Sequence, residues 1–174
     1  YSMSGGNATI NGSAYVGGTN VAAGGNGLLS IGGGTMAVTN TLKVWNSGAS
    51  TLSMTGGTLS VGTLDMSGNL SRFAWLGGRL NITGPNGLTV GAGGALGTNV
   101  SVDTGRTLGV TNKTTVNSGS KLTVTGGFST STLANSGTLS SIGSTITSLL
   151  ASTNAASAKI NLTDCTATFG SGSN

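Results

Sequence analysis

An all-β fold, a three-sided parallel β-helix, is what this sequence predicts, and three observations predict it. Short apolar-polar-apolar units recur through residues 51–82: Leu52-Ser53-Met54, Leu59-Ser60-Val61, Leu64-Asp65-Met66, Ala74-Trp75-Leu76 and Leu80-Asn81-Ile82. Gly, Ser, Thr or Asn closes each unit, as turns require. The units come back in threes, Leu52 to Ala74 and Leu59 to Leu80, a recurrence of about 22 residues that belongs to solenoids. A strand stacked on its counterpart one recurrence later satisfies its backbone in parallel pairing, at about 4.8 Å per coil.

Taken in order, the first coil is Ser2-Met3, Ala8-Thr9-Ile10 and Ala14-Tyr15-Val16, turned by Gly5-Gly6 and Gly17-Gly18. After a looser corner at residues 19–27, the second coil runs through residues 28–31, 35–38 and 42–44. The third holds Leu52, Leu59 and Leu64. Ala74, Leu80 and Leu88-Thr89-Val90 form the fourth, stretched by the lone Pro in Gly84-Pro85-Asn86-Gly87. Ala95-Leu96, Val100-Ser101-Val102 and Leu108-Gly109-Val110 follow, then Thr115-Val116 and Leu122-Thr123-Val124. After Gly126-Gly127 the pattern blurs through Phe128, Leu133, Leu139 and Ile142.

Within each triplet the outer residues point in and the central one points out. Leu52, Met54, Leu59, Val61, Leu64 and Met66 are therefore core, and Ser60, Asn81, Ser101 and Thr123 form an outward column. Lys43 and Asp65, 22 apart in sequence, are a ladder pair on another face. By the same rule Trp75 faces solvent, and Trp45 sits at a corner past Val44. Each either folds over neighbouring turns or is a candidate contact for a partner subunit or a glycan, since exposed Trp is enriched in interfaces.

The expected organisation is a solenoid body at 1–150, a linker at 151–158 (ASTNAASA) and a C-terminal strand and tail at 159–174. Lys159 opens that strand, Ile160 and Leu162 share one side, and Cys165, Ala167 and Phe169 follow at two-residue spacing before the GSGSN tail. The strand reads as detached from the body. It either completes the sheet of a neighbouring subunit or folds back as the last coil of its own rod.

Charged residues make up only 6% of the 174-residue chain, against about 25% in ordinary domains. The net charge of +4 comes from seven scattered bases, with no basic run to track a phosphate backbone. Nucleic acid is not an expected partner. No segment approaches the roughly 20 apolar residues of a membrane-spanning helix, so membrane insertion is not expected either.

The chain has no His, no Glu, one Cys and three Asp. Zinc sites and Ser/His or Cys/His nucleophiles need residues it lacks. Asp65, Asp103 and Asp164 fall on different faces or segments, too far apart in the pattern for paired-carboxylate hydrolysis and too few for a calcium site. The sequence therefore points to no enzyme, no metal and no cofactor. Cys165 alone forms no intrachain disulfide.

Repeats such as TLSMTGGTLSVGTLDMSGN and SKLTVTGGFSTSTLANSGTLS resemble the autotransporter-associated β-strand repeats of large secreted bacterial surface proteins, including PEP-CTERM-type exported proteins. The resemblance covers residues 5–141. It implies a secreted, extracellular or cell-surface β-helix that serves as passenger stalk, adhesin or matrix component.

Three readings follow. A solenoid exposes backbone and apolar core at an uncapped end, and neither terminus of this sequence carries an amphipathic capping helix. A start at Tyr1 already inside the repeat reads as a processed mature chain or an excised piece. The first reading is a head-to-tail homopolymer forming a filament or surface matrix, with Tyr1, Met3, Ile160, Leu162, Cys165, Ala167 and Phe169 at the subunit interface. The second is an adhesin or stalk passenger fragment that contacts surface glycans. Ice binding through flat Thr-x-Thr columns is the third, but Thr123-Val124-Thr125 is not continued by Thr in the neighbouring coils.

Overall fold

The computed structural model describes residues 1–172. The fold is all-β, parallel strands stacked as a β-solenoid of about seven turns at about 21 residues per turn, with 2% of the chain helical. Two compact units divide it, Tyr1–Gly84 and Pro85–Asn174. The boundary falls at the lone proline of what reads, from sequence, as one continuous body at 1–150.

The first unit contains β1 (Ser2–Ile10), β2 (Ala14–Val16), β3 (Leu28–Val44), β4 (Thr51–Met54), β5 (Thr58–Asp65), β6 (Phe73–Trp75) and β7 (Gly78–Ile82). The pairings described among these strands are parallel. Thr35 of β3 lies beside Thr58 of β5, and Thr58 beside Arg79 of β7. The first turn is longer: Asn7 of β1 lies beside Thr35, 28 residues on. Its extra length is the corner at residues 19–27, closed on itself by a Gly18–Ala23 bridge and the Thr19 N–H bond to Ala22 O at 2.8 Å.

Stacking these strands builds an apolar interior one slot at a time. Met36, Leu59 and Leu80 share a slot, as do Val38, Val61 and Ile82. The six core residues named from the pattern are all inside: Leu52, Met54, Leu59 and Val61 at 0% exposure and Leu64 and Met66 at 3%. Each such side chain contributes about 1.5 to 3 kcal/mol on burial. The corner leading into each of these strands is a Gly-Gly pair in successive turns, Gly56-Gly57 ahead of Leu59 and Gly77-Gly78 ahead of Leu80. Gly57 and Gly78 adopt φ of +68° and +85°, and a Cβ on Gly78 would stand 2.6 Å from the Gly56 carbonyl carbon below it. Conformation and stacking distance both demand glycine there.

One expectation fails in this unit. The strand is Phe73-Ala74-Trp75, not Ala74-Trp75-Leu76: Leu52 pairs with Phe73 and Met54 with Trp75. Trp75 is therefore inside at 7% exposure, its ring stacked on Phe73 at 6.0 Å between centroids, and Leu76 is outside at 66%. The cause is the preceding 3-10 turn, Leu70–Arg72, capped by Asn69, whose side chain accepts the Ser71 N–H at 3.2 Å. It sets the next strand one residue earlier than the triplet spacing suggests, and a one-residue slip exchanges faces.

The second unit contains β8 (Leu88–Val90), β9 (Asn99–Val102), β10 (Arg106–Val116), β11 (Lys121–Val124), β12 (Gly127–Asn135), β13 (Thr138–Ile142), β14 (Thr145–Ser148), β15 (Thr153–Asn154), β16 (Lys159–Thr163) and β17 (Thr166–Phe169). Its turns contract. Asn99 to Lys121 is 22 residues, but Lys121 pairs with Thr138, only 17 on.

Where the turns contract, the interior changes chemistry. Successive occupants of one inward slot are Val110, Thr130, Ser148 and Phe169; of another, Val102, Val124, Ser141 and Leu162; of a third, Val90, Val116, Asn135 and Asn154. Thr130, Asn135, Ser141 and Ser148 are buried. Short corners turn backbone groups inward, and these side chains bond them. Thr130 Oγ1 lies 3.0 Å from the Asn112 and Thr132 carbonyls and accepts from Thr114 Oγ1 at 2.9 Å. Asn135 Nδ2 donates to Asn154 Oδ1 at 2.7 Å and Lys159 O at 3.0 Å, while its Oδ1 accepts the Gly137 N–H. Ser141 meets Ser144 at 2.5 Å, and Ser148 meets Ser152 at 2.6 Å. Buried polar groups are thus paired throughout this layer.

The segment expected as linker and detached strand belongs to the solenoid. β15 pairs with β12, β16 with β13 and β17 with β14, and Ser152 is buried at 4%. Residues 151–158 are a corner with a strand in it, and residues 159–169 are the last coil of this unit. Of the GSGSN tail, Gly170 N–H donates to Ser148 O at 2.9 Å; residues 173 and 174 lie outside the described residues.

Candidate interaction surfaces

The interface residues expected from sequence fall on the outer coils of the two units. In the first, β1 and β2 both pair with β3 on one side. The Tyr1 amine donates to Leu28 O at 2.7 Å, and the residue is 68% exposed. Met3 is not part of an open surface: it lies beside Ile31 and is buried at 5%. Ala8 and Ile10 are half-buried, pointing into the solenoid interior. They help to line a cleft of about 520 Å³, with Ala14, Tyr15, Leu29 and Met36 among its walls. Two of its lining residues are alanines, Ala8 and Ala14.

In the second unit, β16 and β17 each end their sheet's strand order. Ile160 sits beside Leu139, Ala167 beside Ile146 and Phe169 beside Ser148, all three half-buried. Leu162, beside Ser141, is 42% exposed. Cys165 is a free, half-buried thiol just before β17. Asp164, also before it, adopts φ +50° in the corner.

A third surface lies along one face of the first unit. Tyr15, Lys43 and Asp65 are in register on adjacent strands and point outward. Lys43 Nζ donates to Asp65 Oδ2 at 2.5 Å and lies 4.3 Å from the centre of the Trp45 ring. Trp45 is half-buried, with Nε1 donating to Thr19 O at 2.8 Å. A Cβ on Gly18 would stand 2.4 Å from Trp45 Cδ1, so this glycine lets the corner close on the indole edge. The ring is a fixed platform. Tyr15, 38% exposed, extends this face. Sequence reasoning overlooked it there, although its place above Lys43 follows once the 28-residue first turn is known.

Burial works against the Asp65 carboxylate, but the Lys43 hydrogen bond, the Ser67 N–H and the Lys43 charge outweigh it and hold its pKa below the ordinary 3.8. Asp103 is paired with Arg106 at 3.0 Å and accepts from Ser101 Oγ. Arg72 is occupied by the corner beneath it, donating to Asn46 Oδ1, Ser50 O and Gly48 O. Among the described residues no group of three or more His, Cys, Asp or Glu could hold a metal ion, and no helix is long and apolar enough to cross a membrane.

The outward polar columns are short. Ser60 and Asn81 meet at 3.1 Å in the first unit, and Ser101, Thr123, Ser140 and Asn161 align in the second. Thr145 and Thr147 stand over Thr166 and Thr168, a two-rung array that Gly127 and Ser129 do not continue. Compared with family models, with curated proteins and with solved structures, the chain matches none.

Proposed function

We propose that this chain is a structural subunit of an extracellular bacterial filament or surface matrix, its solenoid three-sided and joined head to tail through the outer coils. The supporting observation is the contrast in burial between coils. Inward residues of intermediate turns, such as Leu59, Leu122 and Leu139, are 0% exposed, whereas Ala8, Ile10, Ile160, Ala167 and Phe169 are only half covered. An edge with unpaired backbone groups and half-covered apolar side chains pairs readily with another strand. A second copy supplies one in the same parallel sense. Dilution light scattering and negative-stain microscopy test this: fibres one solenoid wide that lengthen with concentration are expected, and a chain that stays monomeric at high concentration overturns it.

A second reading, an adhesin or stalk segment of a larger surface protein, is favoured by the Tyr15, Lys43, Asp65 and Trp45 face. Aromatic rings beside a carboxylate and an ammonium suit the apolar faces and hydroxyls of a surface glycan. Glycan binding by a monomeric chain, lost on Trp45→Ala, would support this reading over the filament.

A further inference from the structure

Two outer strands, one in each unit, share an Ala-Thr pair set between a polar and an apolar residue. Residues 7–10 of β1 read Asn-Ala-Thr-Ile, and β17 reads Thr-Ala-Thr-Phe. Their exposure alternates identically: Asn7 and Thr9 are exposed, Ala8 and Ile10 half-buried; Thr166 and Thr168 are exposed, Ala167 and Phe169 half-buried. Each already has a parallel partner on one side, β3 for the first and β14 for the second.

Building on the head-to-tail reading above, we propose the register of the joint. β17 of one copy pairs in parallel with residues 7–10 of the next copy's β1, setting Ala167 on Ala8, Thr168 on Thr9 and Phe169 on Ile10. Backbone hydrogen bonds supply the attraction and the side chains supply the register, as in other strand additions.

Shape supports this pairing. Phe169 is the bulky occupant of a slot that holds Ser148 one turn earlier. The edge it would meet has small side chains at Ala8 and Ala14 and a cleft of about 520 Å³ opening beside them. In this register the half-buried Phe169 ring of one copy would meet that hollow in the next copy. Outside, the column Ser129, Thr147 and Thr168 would continue into Thr9, Ala37 and Ser60. No charged side chain occurs in these two strands, so the joint should be insensitive to salt.

Cross-linking tests the register. Neighbouring strands lie about 4.8 Å apart, and disulfides span Cα distances of about 4.4 to 6.8 Å. In a Cys165→Ser background, Thr9→Cys and Thr168→Cys are placed in one chain at two exposed positions. Mild oxidation of this double variant is expected to give a ladder of covalent multimers on a non-reducing denaturing gel. Mixing the two single variants is expected to give only the mixed dimer. Phe169→Ala is expected to weaken subunit affinity by about tenfold or more, as loss of an interface anchor does. Fibres from the natural chain without a ladder from the double variant would overturn the register and leave head-to-tail assembly standing. Neither fibres nor oligomers from the natural chain would overturn the head-to-tail reading itself.

Discussion

Lys43 and Asp65 occupy one rung of adjacent parallel strands, and their side chains meet at 2.5 Å. The pairing holds Asp65 ionised below its ordinary pKa of 3.8. A carboxylate with a depressed folded pKa contributes stability that is present above the unfolded value and lost as pH falls through the folded one. Because the Asp65 side chain is 38% exposed, that contribution is below about 1 kcal/mol. Asp65→Asn is therefore expected to lower the urea midpoint slightly at pH 7 and to flatten its decline below about pH 4. Equal decline in both proteins would show that the pair does not bias folding.

Leu59 has Met36 on one side and Leu80 on the other, and all three are buried. Leu59→Ala is expected to cost about 2 to 5 kcal/mol through lost contacts and a residual cavity. Leu59→Asp should cost more, since a charge without a partner would enter a dry interior. Denaturant melts followed by far-UV circular dichroism check both, and a silent Leu59→Asp would contradict the stacked-slot core.

The part of the fold legible in the sequence is the part where every inward slot is apolar. Leu52 through Met66 announce their coil because alternation and Gly-Gly turns coincide. Trp75 was misplaced because the Leu70–Arg72 turn shifts phase without changing composition. Thr130, Asn135, Ser141 and Ser148 hid the turns of the second unit: a polar residue in an inward slot looks like an outward one until its bonds to corner carbonyls are seen. That gap also made Ile160 and Phe169 appear detached, although Leu139 and Ser148 lie directly beside them. For the candidate surfaces, the apolar residues near the C-terminus were readable. The Asn7–Ile10 strand was not, because its likeness to β17 matters only once the pairings of β1 with β3 and of β17 with β14 are known.

The two tryptophans make the revised phase measurable. Trp75 is 7% exposed and stacked on Phe73, whereas Trp45 is half-buried under Lys43. Trp45→Phe should leave a single emitter with blue-shifted fluorescence and little quenching by iodide. Trp75→Phe should leave a redder emitter that iodide reaches. Strong iodide quenching of the Trp45→Phe protein would return Trp75 to the surface.

The polar layer of the second unit gives the sharpest test, because two physical effects predict opposite signs for one substitution. Thr130 follows Val110 in its slot and is 2% exposed. Thr130→Val nearly preserves shape and extends the apolar column, which by area alone is worth about 1 kcal/mol in favour of folding. It also removes the hydroxyl that lies 3.0 Å from the Asn112 and Thr132 carbonyls and 2.9 Å from Thr114 Oγ1. A buried polar group left without its partner costs about 1 to 3 kcal/mol, and this substitution deprives more than one group. The hydrogen-bond effect wins, and net destabilisation of about 1 to 3 kcal/mol is expected, read as a lower urea midpoint at unchanged slope. Thr130→Ser keeps the hydroxyl and loses only a methyl, so it should cost about 1 kcal/mol. A Thr130→Val protein more stable than the natural chain would mean that the corner carbonyls are satisfied without this hydroxyl, and the contraction of the turns would then need a cause other than the polar layer.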